Sequence, residues 1–113
     1  MLRSPSAADS AALKSLVGAS GALESAADVE PFLVDFRKLY HGRSALVLLP
    51  SSTAEVAKIL AYCHGHDLGV VPHAGNTSYC GGAVPDESGA QIVLALRRLN
   101  RVRAVEPLNY SMT

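Results

Sequence analysis

The apolar positions change period along the chain, and each change marks an element. Leu13, Leu16 and Val17 fall at i, i+3, i+4 after Ser10, the spacing of a short amphipathic helix. The stretch before it, MLRSPSAAD, is small and polar and is expected to be poorly ordered. Gly18 and Gly21 weaken the second half of this helix. Residues 22–42 place Phe32, Phe36 and Leu39 after Pro31, which reads as a second short helix or irregular cover. The phenylalanines and Tyr40 are expected to cover the core.

From Ser44 the pattern becomes continuous. SALVLLP is apolar throughout, lies between Gly42 and Pro50, and has the length of a strand buried on both faces. SSTAEVAKILAYCHG then opens with a capping box, in which Ser52 accepts from the Glu55 amide and the Glu55 side chain returns to Ser52. Val56, Ile59, Leu60 and Cys63 line one helical face, and Gly65 stands where a left-handed cap is wanted. A short strand, Gly69 to Val71, follows and is stopped by Pro72. Strand, helix and strand in this order make a βαβ unit, which implies parallel pairing and a right-handed crossover. Gln91 to Leu96 reads as another apolar strand and Val102 to Val105 as a further one, with no closing turn expected after it. The fold class is therefore α+β with α/β character: a small parallel sheet flanked by helices.

Composition narrows the function. The chain has 113 residues, of which 49% are apolar, so one small domain with a packed core is expected. Ten basic and ten acidic side chains cancel, which gives no electrostatic reason to expect nucleic acid or an anionic membrane. The longest apolar run, Ala45 to Pro50, is far short of the roughly 20 residues of a spanning helix. Cys63 and Cys80 are the only cysteines, and no apolar leader precedes them; free thiols in a cytoplasmic, reducing setting are expected.

The chemistry concentrates in VVPHAGNTSYCGGAVP, residues 70–85. It follows a parallel strand at the end where open α/β sheets hold ligands. Gly75 lets backbone approach a ligand, Asn76 and Thr77 add polar side chains, and successive amides there form a nest for an anion. Gly81 and Gly82 permit a second close approach. A phosphate or pyrophosphate held by amides suits this composition, and so does a conformationally demanding turn with no ligand. The glycines match neither GxGxxG nor a GK[ST] loop, which argues against a Rossmann site and a nucleoside-triphosphate loop.

Three other clusters carry less. Cys63-His64-Gly65-His66 spans a helix end, where its side chains diverge, and no second ligand cluster stands at zinc spacing. No metal site is expected. Arg97, Arg98, Arg101 and Arg103 lack interleaved aromatics and read as a solvated face. Cys80 would need a base and an oxyanion site to act as a nucleophile.

The ordered motifs PSSTAEVAKILAYCHGHDLGVVPHAGNTSYCGGAVP, VLALRRLNRV and EPLNYSMT resemble the N-terminal FAD-binding region of the vanillyl-alcohol oxidase/p-cresol methylhydroxylase flavoproteins. The branch they resemble comprises the FAD-linked D-lactate and D-2-hydroxyglutarate dehydrogenases and the glycolate oxidase FAD subunit. The resemblance covers about residues 30–113 and implies the p-cresol methylhydroxylase type of fold. It implies that Pro72, His73, Ala74, Gly75, Asn76 and Thr77 form the FAD pyrophosphate loop, continued by Ser78, Tyr79, Gly81 and Gly82. Pro50 would close a strand near the adenosine side. Relatives with covalent flavin carry histidine where this chain has Asn76, so non-covalent FAD is implied.

Members of that family run on for several hundred residues and place their catalytic groups in a later substrate domain. The resemblance thus implies a partial FAD-binding subdomain over 42–113, preceded by a helical segment over 1–41, with no catalytic residue in this chain. The parent would be an FAD-dependent oxidoreductase converting a D-2-hydroxy acid to its 2-keto acid. The competing reading is a small non-enzymatic α/β module that binds a nucleotide or self-associates. An incomplete sheet exposes edges and apolar faces, which predicts a homo-oligomer.

Overall fold

The computed structural model describes residues 2–113. Its elements in chain order are α1 (Ala7–Val17), β1 (Ala22–Leu23), α2 (Ala26–Val29), β2 (Val47–Leu48), α3 (Thr53–Gly65), β3 (Gly69–His73), β4 (Gln91–Ala95), β5 (Val105–Glu106) and β6 (Ser111–Met112). Four strands form one sheet in the order β1-β2-β4-β3, and β5 and β6 form a separate hairpin.

Apart from Gln91 at the start of β4, the two central strands are apolar because both faces of the sheet are covered. Their side chains alternate between two cores. Leu46, Leu48, Ile92 and Leu94 pack with Leu13, Val17, Ile59 and Cys63 from α1 and α3. Val47, Leu49, Val93 and Ala95 face the other way, onto Val29, Phe32 and Leu33. The strand expected over 44–50 is buried from Leu46 to Pro50, yet only Val47 and Leu48 join the ladder.

The βαβ reading holds in direction and differs in neighbour. β2 and β3 each pair in parallel with β4, which lies between them, so the crossover through α3 skips one strand position. β3 continues through Pro72 to His73 instead of stopping at Val71. A proline is tolerated there because β3 is an edge strand and the missing N–H has no ladder partner to serve.

The N-terminus is ordered by a charge that composition did not reveal. α1 starts at Ala7 under a capping box between Ser6 and Asp9. The Asp9 carboxylate also accepts from the Arg3 guanidinium at 2.6 and 3.0 Å and from the Tyr62 hydroxyl at 2.9 Å, tying the first residues to α3. Arg3 first, and Ser6 after it, hold the Asp9 carboxyl far below the usual carboxylate range.

At α3, Ser52 Oγ accepts from the Glu55 amide as expected, but the Glu55 carboxylate returns to the Ser51 amide at 2.6 Å, not to Ser52. At its other end the left-handed residue is Asp67, with φ 55°, while Gly65 remains helical. Leu60, placed by spacing on the buried face, is exposed. Cys63 is buried, and burial pushes its thiol pKa up to about 11. His64 and His66 are exposed, and the His66 ring stacks on Tyr62.

The last segment departs most from expectation. Of the strand expected over 102–105 only Val105 is in a strand, at the start of the short β5, and the chain does turn after it: residues 107–109 form a 3-10 turn that brings β6 back antiparallel to β5. No helix among the described residues is long and apolar enough to cross a membrane.

Candidate functional site

The site grows from the end of β3. All five residues of β3 are paired with β4, and the ladder ends at the His73–Ala95 pair. Beyond it the backbone changes character. Among the described residues, the amides of Gly75 through Tyr79 and of Gly81 through Ala83 donate to no protein acceptor. The loop is largely exposed, and Pro72, Ala74, Gly75, Asn76, Thr77, Ser78, Gly82 and Ala83 line an open depression of about 280 Å³.

The loop is nonetheless held in shape. Asn76 adopts φ 53°, a left-handed conformation that asparagine tolerates, and its Nδ2 donates to the Val34 carbonyl at 2.8 Å. Its Oδ1 is buried without a partner. Gly81 has φ 75° and lies over the Tyr40 ring. At the far end Gly42 packs so tightly on Pro85 that a Cβ would lie 1.7 Å from the Pro85 carbonyl oxygen.

Gly75 and Gly82 differ from those two. Neither lies in the left-handed region, and a Cβ on Gly75 would meet only Thr77 Cγ2 at 3.9 Å; on Gly82 it would meet nothing within 4 Å. The protein's own packing gives no reason for either glycine. Both bare backbones face the depression, which is the arrangement a closely approaching ligand requires.

The side chains at the site are largely neutral. His73 is 8% exposed and its ring meets Phe32 edge-on at 5.0 Å. Burial first, and the Arg97 charge second, lower its pKa, and its Nε2 has no hydrogen-bond partner. Arg97 lies over the Phe32 ring. A diphosphate at this site would therefore be bound mainly by amide dipoles, as in anion nests, with arginine charge nearby.

Residues 44–113 match the sequence profile of a family described as an FAD binding domain. The chain belongs to that family. Its cofactor is FAD, and the residues fit the group: unpaired amides, two uncrowded glycines and a depression open to solvent suit a pyrophosphate approached by backbone. The D-2-hydroxyglutarate–pyruvate transhydrogenase of Saccharomyces cerevisiae is 43% identical over 105 residues, covering 89% of this chain and 20% of the relative. The chain thus spans about a fifth of the length of the curated relatives it matches.

Two solved structures share the fold. An alkyldihydroxyacetonephosphate synthase superposes with a TM-score of 0.78 at 17% identity, covering 93% of this chain and 21% of the other. A p-cresol methylhydroxylase with substrate bound superposes at 0.64 and 15% identity, covering 84% and 19%. The fold is the p-cresol methylhydroxylase type.

The structure brings Pro72, Ala74, Gly75, Asn76, Thr77, Ser78 and Gly82 to one depression. Tyr79 and Gly81 turn instead toward the segment 36–40, and His73 is buried beneath. Pro50 is fully buried. Sequence reasoning missed the segment 34–40. Phe36, Leu39 and Tyr40, expected to cover the core, are exposed at 62%, 61% and 49%. The signal was Asp35, whose buried carboxylate accepts from the amides of Leu39, Tyr40 and Arg37 and turns those side chains outward. Of the arginines expected to be solvated, Arg98 is half-buried and donates to the Leu49 carbonyl at 2.8 Å.

Proposed function

We propose that the chain is the FAD-holding part of an FAD-dependent oxidoreductase that converts a D-2-hydroxy acid to the 2-keto acid. In this reading Pro72–Tyr79, with Gly81 and Gly82, wraps the pyrophosphate. The observation that carries it is the run of unpaired amides at the C-terminal end of a parallel strand, the position where open sheets bind ligands. The substrate class rests on the hydroxyglutarate named in the yeast relative.

Bound FAD supplies the hydride acceptor. The residues of this chain would hold it: Gly75 and Gly82 leave room, Asn76 fixes the loop against Val34, and the amides without protein acceptors would take the phosphates. No residue here is assigned a proton transfer. We divide the chain into a helical segment, 1–41, and the cofactor-binding part, 42–113. Asn76, whose amide side chain is no flavin linker, favours non-covalent attachment, and free thiols suit a cytoplasmic setting. Fractionation of cells with an antibody to the chain tests that setting, with recovery in organelles as the contrary result.

The purified chain is expected to take up FAD saturably, seen as yellow colour and quenched flavin fluorescence, and to lose uptake with Gly75→Val. A chain that remains colourless at high FAD contradicts the reading. A second reading, self-association, is favoured by the hairpin of β5 and β6, where Leu108, Tyr110 and Met112 are 94%, 97% and 68% exposed. An isolated two-stranded hairpin is marginal in water. Homo-oligomers are expected in light scattering, and a monomer over a broad concentration range would exclude them.

A further inference from the structure

The turn from Asp35 to Tyr40 lies upstream of the matched domain, yet it is built against the glycine loop. One buried carboxylate organises it: Asp35 accepts from the Leu39 amide at 2.7 Å and from the Tyr40 amide at 2.9 Å. Its backbone amide donates to the Tyr40 carbonyl at 3.2 Å, and Lys38 takes the left-handed φ of 59° that closes the turn. Firm as it is, the turn does not bury its apolar residues. It presents them to solvent instead.

The exposed side chains are directed at the loop. The Phe36 ring stacks on Tyr79 with centroids 6.3 Å apart and planes 15° from parallel. The Arg37 guanidinium lies 5.2 Å from the Tyr79 ring centroid and makes no ion pair among the described residues. Tyr79 itself is 61% exposed. Two near-parallel aromatic rings and a free cation thus stand beside the run of unpaired amides that ends at Tyr79.

Each component has a matching ligand chemistry. Amides and a guanidinium suit phosphate oxygens, and an exposed aromatic pair suits a planar heteroaromatic ring. A dinucleotide carries both on one molecule. We propose that Phe36 and Tyr79, with Arg37, form a stacking subsite for a ring of the bound dinucleotide, so that the Asp35 turn is a wall of the cofactor site. This rests on the reading that the loop holds FAD. The ring is either the flavin or the adenine, since both are planar and both hang from the pyrophosphate.

The test titrates the full chain with FAD and, separately, with ADP-ribose, which carries the adenine and pyrophosphate without the flavin. Phe36→Ala, Tyr79→Ala and the double variant alter exposed side chains, and circular dichroism and melting temperature check that the fold is kept. The double variant is expected to bind FAD about tenfold or more weakly and to change the visible circular dichroism of bound flavin. If only FAD weakens, the flavin is the stacked ring; if ADP-ribose weakens equally, the adenine is. Unchanged affinity for both ligands, with uptake still lost in Gly75→Val, overturns this subsite and leaves the loop reading intact. Absence of saturable FAD uptake by the unaltered chain overturns both.

Discussion

The β3–β4 ladder and the glycine loop adjoin in sequence and use their backbones in opposite ways. In the ladder all five residues of β3 are paired, and Ile92 and Val93 are fully buried. In the loop, among the described residues, none of the amides from Gly75 to Tyr79 has a protein acceptor. The ladder's hydrogen bonds and packing stabilise the fold; the loop's groups are left available, with its shape fixed from outside by Val34, Tyr40 and Gly42. On the proposed reading stability and binding rest on different residues, and substitutions should separate them.

The largest expected effect is at the point that closes the loop. Gly42→Ala drives a Cβ into the Pro85 carbonyl, a backbone group that has no rotamer by which to retreat. It should destabilise the chain by more than about 4 kcal/mol in chemical denaturation, or prevent folding. Stability near that of the unaltered chain would show that the 42–85 contact is looser than described.

Next comes the ladder itself. Ile92→Ala removes a fully buried side chain from the face packed by α1 and α3 and should cost about 2–5 kcal/mol. FAD affinity of the fraction that remains folded should be unchanged. Loss of affinity in that folded fraction would mean that ladder and loop are not separable.

A smaller effect calibrates the region outside both. The Asp9 carboxyl is held low in the folded state, so its contribution is present above the usual carboxylate range and lost as pH falls below it. Melting temperature should drop between about pH 5 and pH 2, and Asp9→Asn should flatten part of that drop. Asp35 and Asp86 are shifted the same way and should retain the rest. An unchanged profile in Asp9→Asn would remove the Arg3–Asp9–Tyr62 tether from the account.

The smallest stability effect belongs to the loop. Gly75→Ala meets only Thr77 Cγ2 at 3.9 Å and does not lie at positive φ, so stability should stay within about 1 kcal/mol. FAD binding should weaken, because the added methyl enters the depression. A marked loss of stability would recast Gly75 as a folding residue.

These contrasts also show what was legible in the sequence. α3 was readable because Ile59 and Cys63 repeat at helical spacing under a Ser52 cap, and β4 because Ile92 to Ala95, covered on both faces, is an unbroken apolar run. The place of β4 between β2 and β3 was not readable, since lateral order depends on how helices cover the sheet and leaves no local periodicity. The glycine loop was legible as an open, irregular segment after a parallel strand from Gly75, Asn76 and the strand before it. Its supports were not, because the Val34 carbonyl is a backbone group forty-two positions away and carries no side-chain signature. Phe36, Leu39 and Tyr40 misled for a related reason. Apolar identity suggests burial, but the Asp35 carboxylate fixes a turn that points them outward.

The central claim is that the amides of Gly75–Tyr79 are kept unpaired for the FAD pyrophosphate, and amide-resolved NMR tests it most directly. On adding FAD, those amides should shift downfield and exchange more slowly, while the β3–β4 amides stay as they were. Saturable FAD binding that leaves Gly75–Tyr79 unmoved, with shifts confined elsewhere, would contradict the account.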